Sequence, residues 1–124
     1  MTSLRLYRWV AVAFLLPVAV QVQGCRTSSP VETVSVSLRN TETYQYSTVG
    51  GDEEGARISI QANHYSISEI RRNAETNWVA LYVYRPAPGF IGSDQAEVDI
   101  LSGSDGASSP TRIKRVVFRF VVRD

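Results

Sequence analysis

The chain reads as an all-β protein, a single antiparallel β-sandwich of about seven strands, and three observations carry that expectation. Apolar and polar residues alternate with period two in segment after segment. Clusters of Gly, Pro, Ser, Asn and Asp punctuate those segments at intervals of roughly 8 to 15 residues. Beyond the first 25 residues, no stretch sustains the 3.6-residue apolar period of an amphipathic helix.

Over 31–39, Val34, Val36 and Leu38 fall on one side and Ser35 and Ser37 on the other, the pattern of a half-buried strand. Asn40, Thr41 and Glu42 read as a turn, and 43–48 as a second strand with Tyr44 and Tyr46 on one side. Gly50-Gly51-Asp52-Glu53-Glu54-Gly55 is a loop by composition. Over 57–62, Ile58, Ile60 and Ala62 point inward and Arg57, Ser59 and Gln61 outward. The stretch 65–70 is a weaker strand, with a helical turn over 67–74 as the alternative, and the polar run 71–77 is a turn. Over 78–85 both sides are apolar or aromatic: Trp78, Ala80, Tyr82 and Tyr84 against Val79, Leu81 and Val83. Such a strand belongs at the centre of a sheet, covered on both faces. A loop over 86–93 leads to 95–101, where Ala96, Val98 and Ile100 alternate with Gln95, Glu97 and Asp99, whose polar side is expected in water. After the Ser- and Gly-rich loop 102–110 comes the longest strand, 111–123. It sets Val116, Phe118, Phe120 and Val122 on one face, with Arg119 and Arg123 marking the other.

Ahead of these strands, Arg5 and Arg8 precede an apolar stretch over 9–22 that stops at Val22-Gln23-Gly24-Cys25, the only cysteine of the chain. A charged start, a short apolar run and a small residue at its end are the parts of a secretory signal peptide. The run falls short of the roughly 20 residues that span a hydrocarbon core, and Pro17 interrupts it, which argues against an uncleaved anchor. A lipidated leader and an ordinarily cleaved one remain. With its cysteine directly after Gly24, the segment resembles the lipobox of bacterial lipoproteins, in which a diacylglycerol is attached to the thiol and cleavage falls in front of it. Val22 stands where leucine is commoner, and Gln23 where a small or apolar residue is. The resemblance implies a signal peptide over 1–24, a lipidated tether over 25–30 beginning at Cys25, and a sandwich domain over 31–124. It also implies a membrane partner held through lipid in the cell envelope. Arg26, not aspartate, follows the cysteine, which by resemblance to enterobacterial sorting implies the outer membrane. An exported chain with one cysteine has no internal disulfide partner, so Cys25 needs another role. The polar run Arg26-Thr27-Ser28-Ser29-Pro30 has the composition of a flexible tether.

Removing the leader leaves 100 of the 124 residues, enough for one small domain with a single modest core. Loss of Arg5 and Arg8 lowers the 13 basic residues to 11 against 12 acidic ones, a net charge of −1. No basic field exists to recruit nucleic acid, and no cofactor motif is present. No repeat of 20 to 50 residues is visible, which argues against a solenoid or a propeller.

The most specific internal signal is Tyr84-Arg85-Pro86-Ala87-Pro88-Gly89-Phe90-Ile91-Gly92-Ser93-Asp94. Pro86 ends strand pairing by removing a donor, and Gly89 and Gly92 supply backbone conformations closed to other residues. Phe90 can then fold back to plug an open end of the sandwich, and Asp94 can cap the turn with its carboxylate. The segment resembles the Y-x-P-x-x-G-F-x-G-x-D stretch of bacterial immunoglobulin-like and cadherin-like domains of surface proteins. That resemblance implies an immunoglobulin-like sandwich serving as a spacer, an adhesion module, or a carbohydrate or protein binder, none of them catalytic.

Few residues point to chemistry. His64 is the only histidine, so a catalytic triad or zinc site would lack the partners it needs, and a turn histidine is expected. The run Asp52-Glu53-Glu54 offers carboxylates to calcium but lacks the spacing of a loop that wraps one ion, which favours a solvated hairpin tip. Glu97 and Asp99, with Asp94 nearby, form a carboxylate pair that a glycosidase would place in a cleft, although a polar outward face explains them more simply. Arg112, Lys114, Arg115, Arg119 and Arg123 make the last strand basic on one side. They suit a phosphate-bearing lipid, an acidic polysaccharide or an acidic partner protein, and equally the protection of an exposed strand edge. Tyr44, Tyr46, Tyr82 and Tyr84 could stack on a sugar, but cross-strand core packing accounts for them. The expected function is therefore a cell-envelope lipoprotein carrying a non-catalytic binding or structural module with an envelope protein or polysaccharide as partner. An accessory subunit that pairs through the free edge of its last strand is the alternative. A secreted inhibitor or a small hydrolase stands further off.

Overall fold

The structure, a computed structural model, describes residues 29–48, 55–103 and 109–124. Seven strands follow in chain order: β1 (Val31–Arg39), β2 (Tyr44–Ser47), β3 (Gly55–Ile60), β4 (Tyr65–Arg71), β5 (Leu81–Pro86), β6 (Gly92–Ser102) and β7 (Arg112–Arg123). They form one sheet of order β1-β7-β6-β3 and a second of order β2-β5-β4. No helix occurs among the described residues, so the all-β sandwich expected from period-two alternation is the observed architecture, and 65–70 is a strand rather than a helical turn. The expected leader over 1–24, Cys25 and the acidic run Asp52-Glu53-Glu54 lie outside the described residues.

Neighbouring strands run antiparallel with one exception. β1 and β7 are parallel, in continuous register from Val31 opposite Arg115 to Arg39 opposite Arg123. Parallel neighbours need a long connection, and here the five strands between them are that connection, because the pair joins the first and the last of the seven strands. β7 is therefore an interior strand flanked by β1 and β6, which corrects the expectation that the last strand offers a free edge.

The core lies between the sheets. Tyr82, Tyr84, Val98, Val116 and Phe118 have no exposed surface, and Phe120 and Val122 almost none. Register explains the tyrosines: Tyr44 pairs with Tyr84 and Tyr46 with Tyr82 across β2 and β5, so all four project toward β7. There Tyr82 stacks on Phe118 at 4.9 Å between ring centroids, Tyr84 stacks on Phe120 at 3.8 Å, and Tyr44 and Tyr46 meet Phe118 edge-on. Each buried ring removes apolar area worth roughly 1.5–3 kcal/mol, and each pair adds about 0.5–1.5 kcal/mol.

Three sequence expectations change, each for a local reason. β5 starts at Leu81, not at Trp78, because 72–80 is a turn closed by Asn73 and Thr76. Thr76 N–H donates to Asn73 Oδ1 at 3.0 Å, and Asn73 N–H donates to Thr76 Oγ1 at 3.0 Å. Ile60 is half-exposed rather than inward, because a bulge between Ile58 and Ile60 breaks the alternation of β3. β6 begins at Gly92, ahead of the expected start at Gln95, so Gly92, Ser93 and Asp94 belong to the strand.

Strand direction gives the sandwich two ends. The near end holds the start of β1, Ser47, Gly55, the 72–80 turn and the start of β7. The far end holds the turns 40–43 and 61–64, the loop 87–91 and the last residues of β7.

Candidate functional site

At the far end, the segment from Tyr84 to Asp94 forms a clamp. Pro86 closes β5, Ala87 N–H donates to the His64 carbonyl at 3.1 Å, and Phe90 N–H donates to the Ala87 carbonyl at 3.0 Å. Gly89 and Gly92 have φ of 75° and 139°, a region closed to most side chains, which lets the chain reverse into β6. Phe90 packs half-buried against the core and stacks on the His64 imidazole at 4.2 Å with 9° between the planes. Its ring sits at the end of the sandwich, where the sequence placed a plug.

Asp94 holds a different turn from the one expected. Its buried carboxylate accepts Asn63 N–H at 2.9 Å and Gln95 N–H at 2.9 Å on Oδ1, and His64 N–H at 2.8 Å on Oδ2. The Tyr84 hydroxyl lies 3.0 Å from the same Oδ2 and 3.2 Å from the His64 carbonyl. Burial, with the Asp94 charge beside it, pushes the Tyr84 phenol well above its ordinary range. Tyr82 is pushed up to about 12, chiefly by burial, although its hydroxyl is satisfied by Ser68 Oγ at 2.9 Å. The motif thus builds a rigid scaffold beneath the 61–64 and 87–91 loops and leaves its own polar atoms satisfied.

Around that scaffold the far end carries exposed apolar surface. Ile60 is 50%, Tyr65 40%, Ile91 54% and Val121 49% exposed, against only Val31 and Trp78 as large apolar residues comparably open elsewhere among the described residues. A shallow groove lined by His64, Ser93, Gln95, Arg119 and Val121 joins the 61–64 turn to the outer face of β7. A second groove runs between Asn40, Thr41, Ser66, Arg85, Pro88 and Gly89.

The basic residues of β7 do not share one face. Arg112 and Lys114 have the parity of the inward residues and are exposed only because they lie past the core at the near end, where Lys114 pairs with Glu32. Arg115, Arg119 and Arg123 lie on the outer face. Arg115 is committed to structure: its Nε lies 2.8 Å from Asp99 Oδ1, and Arg57 approaches the same carboxylate from β3 at 3.4 Å. Asp99 is 1% exposed, although the alternation of β6 placed it in water, because the two guanidinium groups cover it. Their hydrogen bonds, Arg115 first, hold its carboxyl below the usual carboxylate range despite burial. Asp99 and Glu97 share the outer face whereas Asp94 points inward, so the three carboxylates do not converge. Arg119 and Arg123 are left as the exposed outer cations of β7. Among the described residues, no group of three or more His, Cys, Asp or Glu is placed to hold a metal.

Trp78 is the surface residue that sequence reasoning missed. It is 63% exposed at φ 61°, next to Asn77 at φ 54°. Trp78 N–H donates to the Asn73 carbonyl at 2.9 Å, and Arg72 Nε donates to the Trp78 carbonyl at 2.6 Å, so the left-handed pair is held in place. The turn-forming Asn73 and Asn77 were the available signal, overridden by the apolar run that follows.

No protein-family model matches the chain, and no curated protein matches it. Among solved structures, a cysteine protease inhibitor from Entamoeba histolytica aligns over 76% of this chain and 94% of its own, at 12% identity and a TM-score of 0.37. A likeness at that level carries no argument about activity.

Proposed function

We propose that this protein is an exported, lipid-tethered cell-envelope protein whose single immunoglobulin-like sandwich is a non-catalytic binding module. The observation that carries the binding role is that four exposed large apolar residues, Ile60, Tyr65, Ile91 and Val121, lie on the strands and loops that lead to the far end, where His64 stacks on Phe90 and a groove joins His64 to Arg119 and Val121. Monomeric surfaces usually scatter such residues, and clusters of exposed apolar groups rimmed by polar ones mark interaction sites. Apolar side chains, an aromatic stack and one arginine suit an acidic peptide segment or a polysaccharide bearing carboxylates. Strand order supports the immunoglobulin-like reading. Lettered A to G along the chain, strands B, E and D form one sheet and C, F and G the other, with the first strand paired to the last.

Location rests on the leader and on the lone cysteine that ends it. The Pro30 carbonyl accepts Arg115 N–H at 3.0 Å, so the path of the chain is fixed from Pro30 onward. A run of six residues from Cys25 to Pro30 reaches roughly 20 Å at full extension, which would hold the near end of the sandwich close to the membrane. Intact mass and membrane partition of wild type beside Cys25→Ser test the tether. An acylated Cys25 terminus, lost together with membrane association in the variant, is expected. An unmodified, soluble protein in both would overturn the tether and leave the binding surface standing. That surface is tested separately with a photo-activatable residue at Ile91 and another at Glu75. Capture of one partner from Ile91 alone is expected, and equal capture or none from the two positions would overturn it.

A further inference from the structure

The four edge strands of the sandwich are unequal. β2 has four residues, and β3 and β4 each carry a break in register, between Ile58 and Ile60 and between Tyr65 and Ile67. Short length and bulges are the usual ways of blunting an edge. β1 has neither: nine residues in unbroken register with β7, without proline or lysine. Among the described residues, no strand pairs with its other side.

The hydrogen bonds at its two ends reveal which amides face that open side. The Pro30 carbonyl accepts Arg115 N–H, and Asn40 N–H donates to the Arg123 carbonyl at 2.8 Å. In a strand, the N–H and C=O of one residue point to the same side and the sides alternate, so the even residues Glu32 to Leu38 bond β7. Val31, Thr33, Ser35, Ser37 and Arg39 present theirs to the open edge. Arg39 is capped there, its N–H donating to Glu42 Oε2 at 2.8 Å and its carbonyl accepting Glu42 N–H at 3.0 Å. The open run is thus Val31 to Ser37, with Thr33 and Ser35 at its middle.

We propose that this edge pairs with the same edge of a second copy of the chain, antiparallel about a twofold axis through Ser35. In that register Ser35 meets Ser35 of the second copy, and Thr33 meets Ser37 on either side. All of these are residues whose amides face outward, so they form hydrogen-bonded pairs that supply about six backbone bonds. The side chains match as well. Hydroxyls meet hydroxyls on the outer face, Val34 meets Val36 on the inner face, Glu32 faces Leu38 and Arg39 faces Val31, so no like charges stand opposite one another. Half-buried Val34 and Val36 would be covered further. The two four-stranded sheets would become one sheet of eight, an isologous contact that closes on itself. This inference does not depend on the lipid tether. If both hold, the tethers leave from opposite ends of a ribbon roughly 30 Å long, so both reach one membrane when the ribbon lies along its surface.

The test uses the full chain in a Cys25→Ser background. Ser35→Cys sets two thiols across the axis, where Cα atoms are about 5.5 Å apart and a disulfide can form. Thr33→Cys sets its thiols four residues out of register, roughly 14 Å apart, beyond reach. Mild oxidation is expected to link Ser35→Cys into a dimer and to leave Thr33→Cys monomeric. Ser35→Pro spares every hydrogen bond to β7, and Ser35→Lys sets two ammonium groups on the axis. Both are expected to keep the β circular dichroism while sedimentation moves to the monomer. Cross-linking of both cysteine variants alike or of neither, a dimer unchanged by Ser35→Pro and Ser35→Lys, or capture of Ser35→Cys by a different protein would each overturn the proposal.

Discussion

Asp94→Ala removes the acceptor of four hydrogen bonds at once, from the amides of Asn63, His64 and Gln95 and from the Tyr84 hydroxyl. Bonds to a buried carboxylate contribute about 1.5–3 kcal/mol each, so the lower bound for four is about 6 kcal/mol. Part returns on relaxation: the 61–64 turn can open to water, and the Tyr84 hydroxyl keeps the His64 carbonyl as an acceptor. A net loss of about 3–5 kcal/mol remains, the range seen when one partner of a buried charged cluster is deleted. A domain of this size has about 5–15 kcal/mol in total, and its midpoint moves by about 4–8 °C per kcal/mol. Urea unfolding followed by far-ultraviolet circular dichroism, with a thermal scan beside it, should therefore show a Tm lowered by about 12 °C or more. Asp94→Asn keeps the shape but turns two acceptor sites into donors facing donors, so it should recover only part of the loss. A change below about 1 kcal/mol for the alanine variant, with an unaltered m-value, would refute the clamp as the organiser of the far end.

Three further outcomes are expected. The Asp99 carboxyl is held below its ordinary value in the folded chain and returns to about 4 when unfolded, so its stabilising effect is complete above that pH and is lost as pH falls through the folded value. Urea midpoints measured from neutral pH down to about pH 2 should thus fall less steeply for Asp99→Asn than for wild type, and parallel curves would count against the Arg57–Asp99–Arg115 cluster. Gly92→Ala forces a side chain into φ 139° with its Cβ 3.4 Å from the Phe90 ring, and should lower stability by about 1–3 kcal/mol in thermal unfolding, whereas no loss would mean the backbone can relax there. Trp78→Gly relieves a left-handed residue and should raise stability by up to about 1 kcal/mol, with Trp78→Ala unchanged or lower; the opposite order in denaturant unfolding would show that the indole is held by contacts rather than displayed.

Period-two alternation determined the sheet content, the extent of β1 and the inward set of β7, because the two faces of a strand see water and core in turn and the residues must follow. It also paired the tyrosines two apart, which suffices to predict that Tyr44, Tyr46, Tyr82 and Tyr84 are core. The apolar stretch over 9–22 and the single cysteine that follows it are likewise legible in the chain alone, since composition and spacing need no fold to be seen. What only the tertiary structure decided is whatever depends on neighbours from distant sequence. Alternation assigned Asp99 to water, and two arginines from β3 and β7 closed over it. Alternation ran the fifth strand back to Trp78, and the Asn73–Thr76 hydrogen bonds turned that residue out on left-handed backbone. No local signal could say that the last strand is interior and the first one the open edge, because strand order follows from how two sheets share one core, and a strand carries the same pattern of alternation wherever in its sheet it is placed.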